Sequence, residues 1–219
     1  MLAQIVRLSS RLHPAKRTAR FVSAQEHRLP DRISAYLRDR TQFPQMLNAL
    51  DLVGQGVEVG VQCGLFSEIV LREWHGARLH CVDPWQEFPR DSYIDVSNVD
   101  QATQDEYYKQ TRCRLQPFGE RVRIIRKTSR EAATEFSDRQ LDFVYLDAQH
   151  HYQAVCEDIR LWFSKVRRGG ILAGHDYVEG KFAAGAFGVK SAVDDFIAAH
   201  RLRLFVTREP DWPSWYVFL

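Results

Sequence analysis

Asp147, His150, His175 and Asp176 fall in two short segments, and they are residue types that hold a divalent cation or move a proton. Carboxylates prefer hard ions such as Mg²⁺, which keep several waters and use few protein ligands. A histidine in the set shifts the preference toward Mn²⁺, Fe²⁺ or Zn²⁺. His150 and His151 follow Asp147 closely. A histidine titrates near neutrality and serves as a general base when it lies within hydrogen-bond reach of an acidic proton. A metal on the same hydroxyl would lower its pKa and reduce what the base must do. Each residue also has a plainer role: Asp147 capping a helix at Tyr152, His175 filling a turn, and His150 or His151 on the surface at a helix start.

A second group lies upstream. The run Glu58-Val59-Gly60-Val61-Gln62-Cys63-Gly64 is followed by Phe66-Ser67. Glycines permit a sharp turn and close approach of the backbone to a ligand. The spacing is GxxxG, not the GxGxxG of dinucleotide binders, which argues against a nicotinamide-dependent dehydrogenase. Glu58 would repel a phosphate at this turn and would hold an amine-bearing ligand. Asp83, about 20 positions on, can take both hydroxyls of a ribose, and Trp85 could lie against an adenine face.

Both groups need a scaffold that brings them together, and the patterning supplies one. Short runs rich in β-branched residues at 56–60, 78–83, 122–125, 141–147 and 170–174 read as strands. Helical spacing of apolar residues covers 65–74, 100–115, 129–136, 152–166 and 189–200. Alternation of this kind predicts an α/β fold with a mostly parallel sheet covered by helices on both faces. The last two strand-like runs, 201–207 and 214–219, are joined by a connection too short for a crossover, so they should form an antiparallel C-terminal hairpin. Ligands of such sheets bind beyond the carboxyl ends of the strands, where the residues singled out above fall. Residues 1–53, with helical patterns at 32–40 and 45–52, are expected to form a helical N-terminal cap on a domain spanning 54–219. An insert at about 85–119 and a glycine-rich loop at 180–188 sit where a lid would close over an acceptor.

With 219 residues, 45% hydrophobic and 26% charged, the chain suits one globular domain with additions. The 30 Lys+Arg against 28 Asp+Glu leave +2, which argues against nucleic acid as a partner. No apolar run is long enough for a membrane helix. Cys63, Cys81, Cys113 and Cys156 share no CxxC or metal spacing and read as thiols in a reducing, cytoplasmic setting. The basic N-terminus, with Arg7, Arg11, Lys16, Arg17 and Arg20 ahead of the first acid at Glu26, suits a helix docked on the domain or on a second copy, with an organelle transit peptide as the alternative.

Val57-Glu58-Val59-Gly60 with Gly64, Asp83, and Leu141 through Asp147 together resemble the class I S-adenosylmethionine-dependent methyltransferases, Rossmann-like folds with an antiparallel closing strand. The stretch from Asp147 to Tyr177, with Asp-Ala-Gln-His-His-Tyr, then Asp158, Trp162, Gly169-Gly170 and Gly174-His175-Asp176-Tyr177, is similar to the small-molecule O-methyltransferases of the catechol, caffeoyl-CoA, macrolide-sugar and methyltransferase 24-like kind. The resemblance covers about residues 54–219. It implies S-adenosylmethionine as cofactor, with Glu58, Gly60 and Gly64 around its methionine moiety, Asp83 on the ribose and Ser129 beside the adenine. Ser67, Trp85 and Asp147 complete the expected cofactor-binding set. It also implies Asp147 and Asp176 as ligands to Mg²⁺ or Mn²⁺, with His175 joining them at a position that is acidic in relatives. His150 occupies the place of the general-base lysine of catechol-type relatives, three residues past the first metal-binding Asp, so His150 and Asp147 are the expected catalytic residues. The implied acceptor is a small hydroxylated molecule, and nucleic-acid amino-methylation does not fit, because the fourth strand ends in Asp147-Ala148-Gln149-His150. A metal-independent enzyme with a His base and a non-catalytic adenosylmethionine-binding module are the alternatives.

Overall fold

The computed structural model describes residues 37–90 and 93–219. The basic residues before Glu26 and the start of the 32–40 helical pattern lie outside them. A short 3-10 turn, Arg40–Gln42, leads into α1, Phe43–Ala49. Pro44 fits the first turn of α1, where its missing N–H costs nothing, so the helix starts and ends earlier than apolar spacing alone places it.

Five strands run parallel: β1 (Gln55–Val59), β2 (Arg78–Val82), β3 (Val122–Ile125), β4 (Leu141–Leu146) and β5 (Val166–Gly174). Between and after them come α2 (Leu65–Glu73), α3 (Gln101–Leu115), α4 (Ser129–Ala133), α5 (Tyr152–Phe163) and α6 (Val189–His200). A small hairpin, β6 (Glu179–Phe182) with β7 (Gly185–Gly188), precedes α6, and β8 (Phe205–Val206) and β9 (Trp215–Phe218) close the chain. The seven-stranded sheet has the order β3-β2-β1-β4-β5-β9-β8, with β9 antiparallel to β5 and to β8. Strand order reverses between β1 and β4, whose ends carry Glu58-Gly60 and Asp147.

The two-residue period of the strands divides the core. Val57, Val59, Val144, Leu146 and Leu172 face the side covered by α4, α5 and α6. Phe143, Tyr145, Ile171 and Ala173 face the side covered by α1, α2 and α3. Phe43, Met46, Leu47 and Leu52 join that second core, so residues 37–53 pack on the sheet. α4 stops at Ala133, short of the expected 136, and α5 stops at Phe163 instead of 166, because Val166 already pairs with Leu141 as β5 begins. The glycine-rich 180–188 segment is not a loop but the β6–β7 hairpin. The insert holds α3, capped by the Asp100 side chain accepting from Thr103 N at 2.8 Å. Ahead of it, buried Asn98 binds the backbone of Phe88 and Tyr93. The bridge Asp95↔Gly185 and the bond Val96 N to Ala184 O (2.9 Å) fasten the insert to the hairpin. Among the described residues, no helix is long and apolar enough to cross a membrane.

Candidate active site

A cavity of about 480 Å³ opens beyond the carboxyl ends of the parallel strands. Glu58, Gly60, Asp83, Ser129 and Asp158 line one part, and Asp147, His150 and Asp176 line another. The insert contributes Phe88, Tyr93 and Asp95, the hairpin Phe187, and the β8–β9 connection Trp212.

The glycine turn is held from beneath. Asp83 Oδ2 accepts from Val61 N and Gln62 N, both at 2.9 Å, and Oδ1 accepts from Trp85 N at 2.7 Å. Burial pushes the Asp83 carboxyl up, against the pull of these amides. Gly60 adopts φ 88°, and a Cβ there would stand 1.8 Å from Asp147 O. The glycine is therefore required where the ends of β1 and β4 cross, which brings Glu58 and Asp147 to one side of the cavity. Gly64 sits under α3 against Thr111 and does not line the cavity. Glu58, 2% exposed, takes a bond from the Ser67 hydroxyl. Burial raises its carboxyl to about 8, the Ser67 bond and the Arg40 charge pulling back. Ser67 is fully buried behind Glu58, so it positions that carboxyl and has no surface for a cofactor.

Trp85 is displaced from its expected role as well. It is completely buried, its Nε1 donates to Gln62 O at 2.7 Å, and its ring packs on Tyr108. It is not among the residues that line the cavity. Ser129 does line the cavity, donating to Asp158 Oδ1 and accepting from Trp162 Nε1 at 2.9 Å. Burial raises Asp158 to about 6.

At the other end, ligand atoms of Asp147, His175 and Asp176 lie within 4.8 Å of one another, a donor set that one divalent cation can bridge. Asp176 sits at the end of β5 with φ 54°, a left-handed conformation that turns its carboxylate toward His150. His175 Nδ1 is 2.7 Å from Asp176 Oδ1 and 4.0 Å from Asp147 Oδ1. The Arg40 guanidinium meets Asp147 Oδ2 at 3.0 Å.

His150 is enclosed by acids. Its Nδ1 is 2.7 Å from Asp95 Oδ2, while Nε2 is 3.0 Å from Asp176 Oδ2, out of line for a hydrogen bond, and 3.7 Å from Asp147 Oδ1. Its ring stacks on Phe187. Burial disfavours the charged ring, but Asp147, Asp176 and Asp95 outweigh it and raise His150 to about 11. Asp176 is held well below the usual carboxylate range: burial opposes its charge, and His150 and His175 prevail. These carboxylates favour the protonated ring, and a cation taken up by Asp147 and Asp176 would weaken their hold on it.

Sequence reasoning passed over Arg40 and Asp95. Arg40 ends a helical pattern and Asp95 lies in an irregular insert, so neither occupies a strand end where ligand-binding residues are sought.

A family model described as a methyltransferase domain matches residues 57–177. The fold is similar to that of an O-methyltransferase from Bacillus cereus in complex with SAH, 14% identical, over 82% of this chain and 80% of that one, with a TM-score of 0.56. TomG from Streptomyces achromogenes, an O-methyltransferase involved in tomaymycin synthesis and in complex with SAM, is 14% identical over 82% and 79% of the two chains, TM-score 0.56. A candidate caffeoyl-CoA O-methyltransferase from Staphylococcus aureus is 13% identical over 82% of each chain, TM-score 0.60. At these identities the likeness is one of fold. No curated protein sequence matches the chain.

Proposed function

Since the chain belongs to the methyltransferase domain family, we propose that it transfers a methyl group from S-adenosylmethionine to a hydroxyl of a small molecule such as a phenol, a catechol or a sugar. The observation that carries this reading is the continuity of the cavity: Glu58, Gly60, Asp83 and Ser129 share it with the Asp147–His150–Asp176 cluster. A donor bound along the first set would present its methyl to an acceptor seated against the second. Bound S-adenosylmethionine supplies an electrophilic methyl on a sulfonium whose positive charge is dispersed in the transition state and lost with the thioether product. The protein's contribution is then positioning and removal of the acceptor's proton.

Glu58, whose proton affinity is raised by burial, would ionise against a ligand ammonium. Asp83 holds the turn and keeps lone pairs for ribose hydroxyls. A divalent cation held by Asp147, His175 and Asp176 would lower the pKa of the acceptor hydroxyl. His150 orients Asp147 and Asp176 from one side, with Asp95 fixing its ring. Phe88, Tyr93, Phe187 and Trp212 supply an apolar wall suited to a ring-bearing acceptor.

A metal-independent version has an observation in its favour, since Arg40 and His150 already neutralise Asp147 and Asp176. In that version His175, or His150 once its proton has left, would take the acceptor's proton. Turnover of a panel of catechols and hydroxylated sugars, measured after EDTA treatment and after Mg²⁺ or Mn²⁺ add-back, separates the versions. Loss and restoration of turnover support the metal, and unchanged turnover removes it. Binding of S-adenosylmethionine with no transfer to any hydroxylated acceptor would instead favour a non-catalytic binding module.

A further inference from the structure

Arg40 lies outside the 57–177 family match, yet its side chain lines the cavity. Its position is fixed by the backbone around it. Arg40 N donates to Glu209 Oε1 at 3.1 Å, and Arg208 N donates to Arg38 O at 2.9 Å. Glu209 is held in turn by the Thr207 hydroxyl and Ser214 N. The guanidinium lies 5.2 Å from the centroid of Phe66, in the first turn of α2, and it is close enough to Glu58 to lower that carboxyl's proton affinity. One nitrogen, Nη1, meets Asp147, and among the described residues the rest of the fork meets no protein acceptor. The side chain is 34% exposed, so those donors are open to a ligand.

The amino-acid end of adenosylmethionine is a zwitterion, and a wall made only of Glu58, Asp147 and Asp176 would repel half of it. Among the described residues, the basic side chains that line the cavity are Arg40, Arg130 and His150. Arg130 stands beside Ser129 at the far end, and His150 is enclosed by three carboxylates. Arg40 is the one adjacent to Glu58. Resting on the methyltransferase reading above, we infer that Arg40 binds the carboxylate of the cofactor's amino-acid end while Glu58 takes its ammonium. A guanidinium fork suits a carboxylate, and a charge-assisted bond of this kind carries most of its value when the donor is held in place beforehand.

The test is calorimetric titration of the full chain with S-adenosylhomocysteine and with 5′-methylthioadenosine, which keeps the adenosine and sulfur but lacks the amino acid. The wild type should bind S-adenosylhomocysteine more tightly. Arg40→Gln should weaken that binding roughly tenfold to a hundredfold while leaving 5′-methylthioadenosine unaffected, with Arg40→Lys intermediate. Equal losses for both ligands, or no loss for S-adenosylhomocysteine, would overturn the assignment. Failure of the wild type to bind either ligand would overturn the cofactor reading itself, and this inference with it.

Discussion

The two ends of the cavity are built from different materials. Around the glycine turn, Asp83 is satisfied by backbone amides of Val61, Gln62 and Trp85, and the Glu58 carboxyl by a serine hydroxyl behind it. Around Asp147 and Asp176, the partners are charged side chains from other segments: Arg40, His150 and His175. Backbone amides cannot leave or change charge, whereas side-chain cations can be displaced by a metal or a substrate. Under the proposed function, the first end would be a fixed seat for the cofactor. The second is an electrostatic balance that a variable ligand can tip.

That contrast can be broken most directly at Asp147. Asp147→Ala should lower methyl transfer about a thousandfold while leaving S-adenosylhomocysteine affinity nearly intact, as read by turnover and titration side by side. Equal loss of both would place Asp147 with the fixed seat. Gly60→Ala should act on both ends at once, because its Cβ would collide with Asp147 O and force a left-handed φ on alanine. We expect a destabilisation of about 3 kcal/mol, seen as a lower urea midpoint, and an unchanged midpoint would show that the two strand ends are free to separate. Asp95→Asn removes the charge opposite His150 Nδ1 and should lower kcat about tenfold with little change in cofactor affinity. A drop in affinity instead would tie the insert to the cofactor end. The smallest effect belongs to Trp85→Phe, which loses the indole bond to Gln62 O at a cost of about 1 kcal/mol. Cofactor affinity should hold, since the ring never reaches the cavity, and a clear loss would return Trp85 to the adenine.

The same contrast explains what could be read in advance. Strand ends are marked by local patterning, so Glu58, Gly60, Asp83, Asp147, His175 and Asp176 stood out from their places after apolar runs, while Ser129 came from the family resemblance alone. Ser67 and Trp85 lie near the right strand ends too, yet their side chains turn into the core, and nothing in one-dimensional spacing reports that direction. His150 was singled out through the resemblance, but its ring is held by Asp95, 55 residues away. Arg40 reaches Asp147 across 107 residues. Long-range contacts of this sort leave no periodic trace. The hairpin at 179–188 was missed for a related reason: its glycines favour a loop locally, and pairing with the insert outweighs that preference.

The Asp95↔Gly185 bridge has a kinetic consequence. Because the insert and the hairpin are stitched to each other as well as to His150, neither wall can swing aside alone. Under the proposed methyl transfer, an acceptor entering past either wall would have to part both together, and that would loosen the hold of Asp95 on His150.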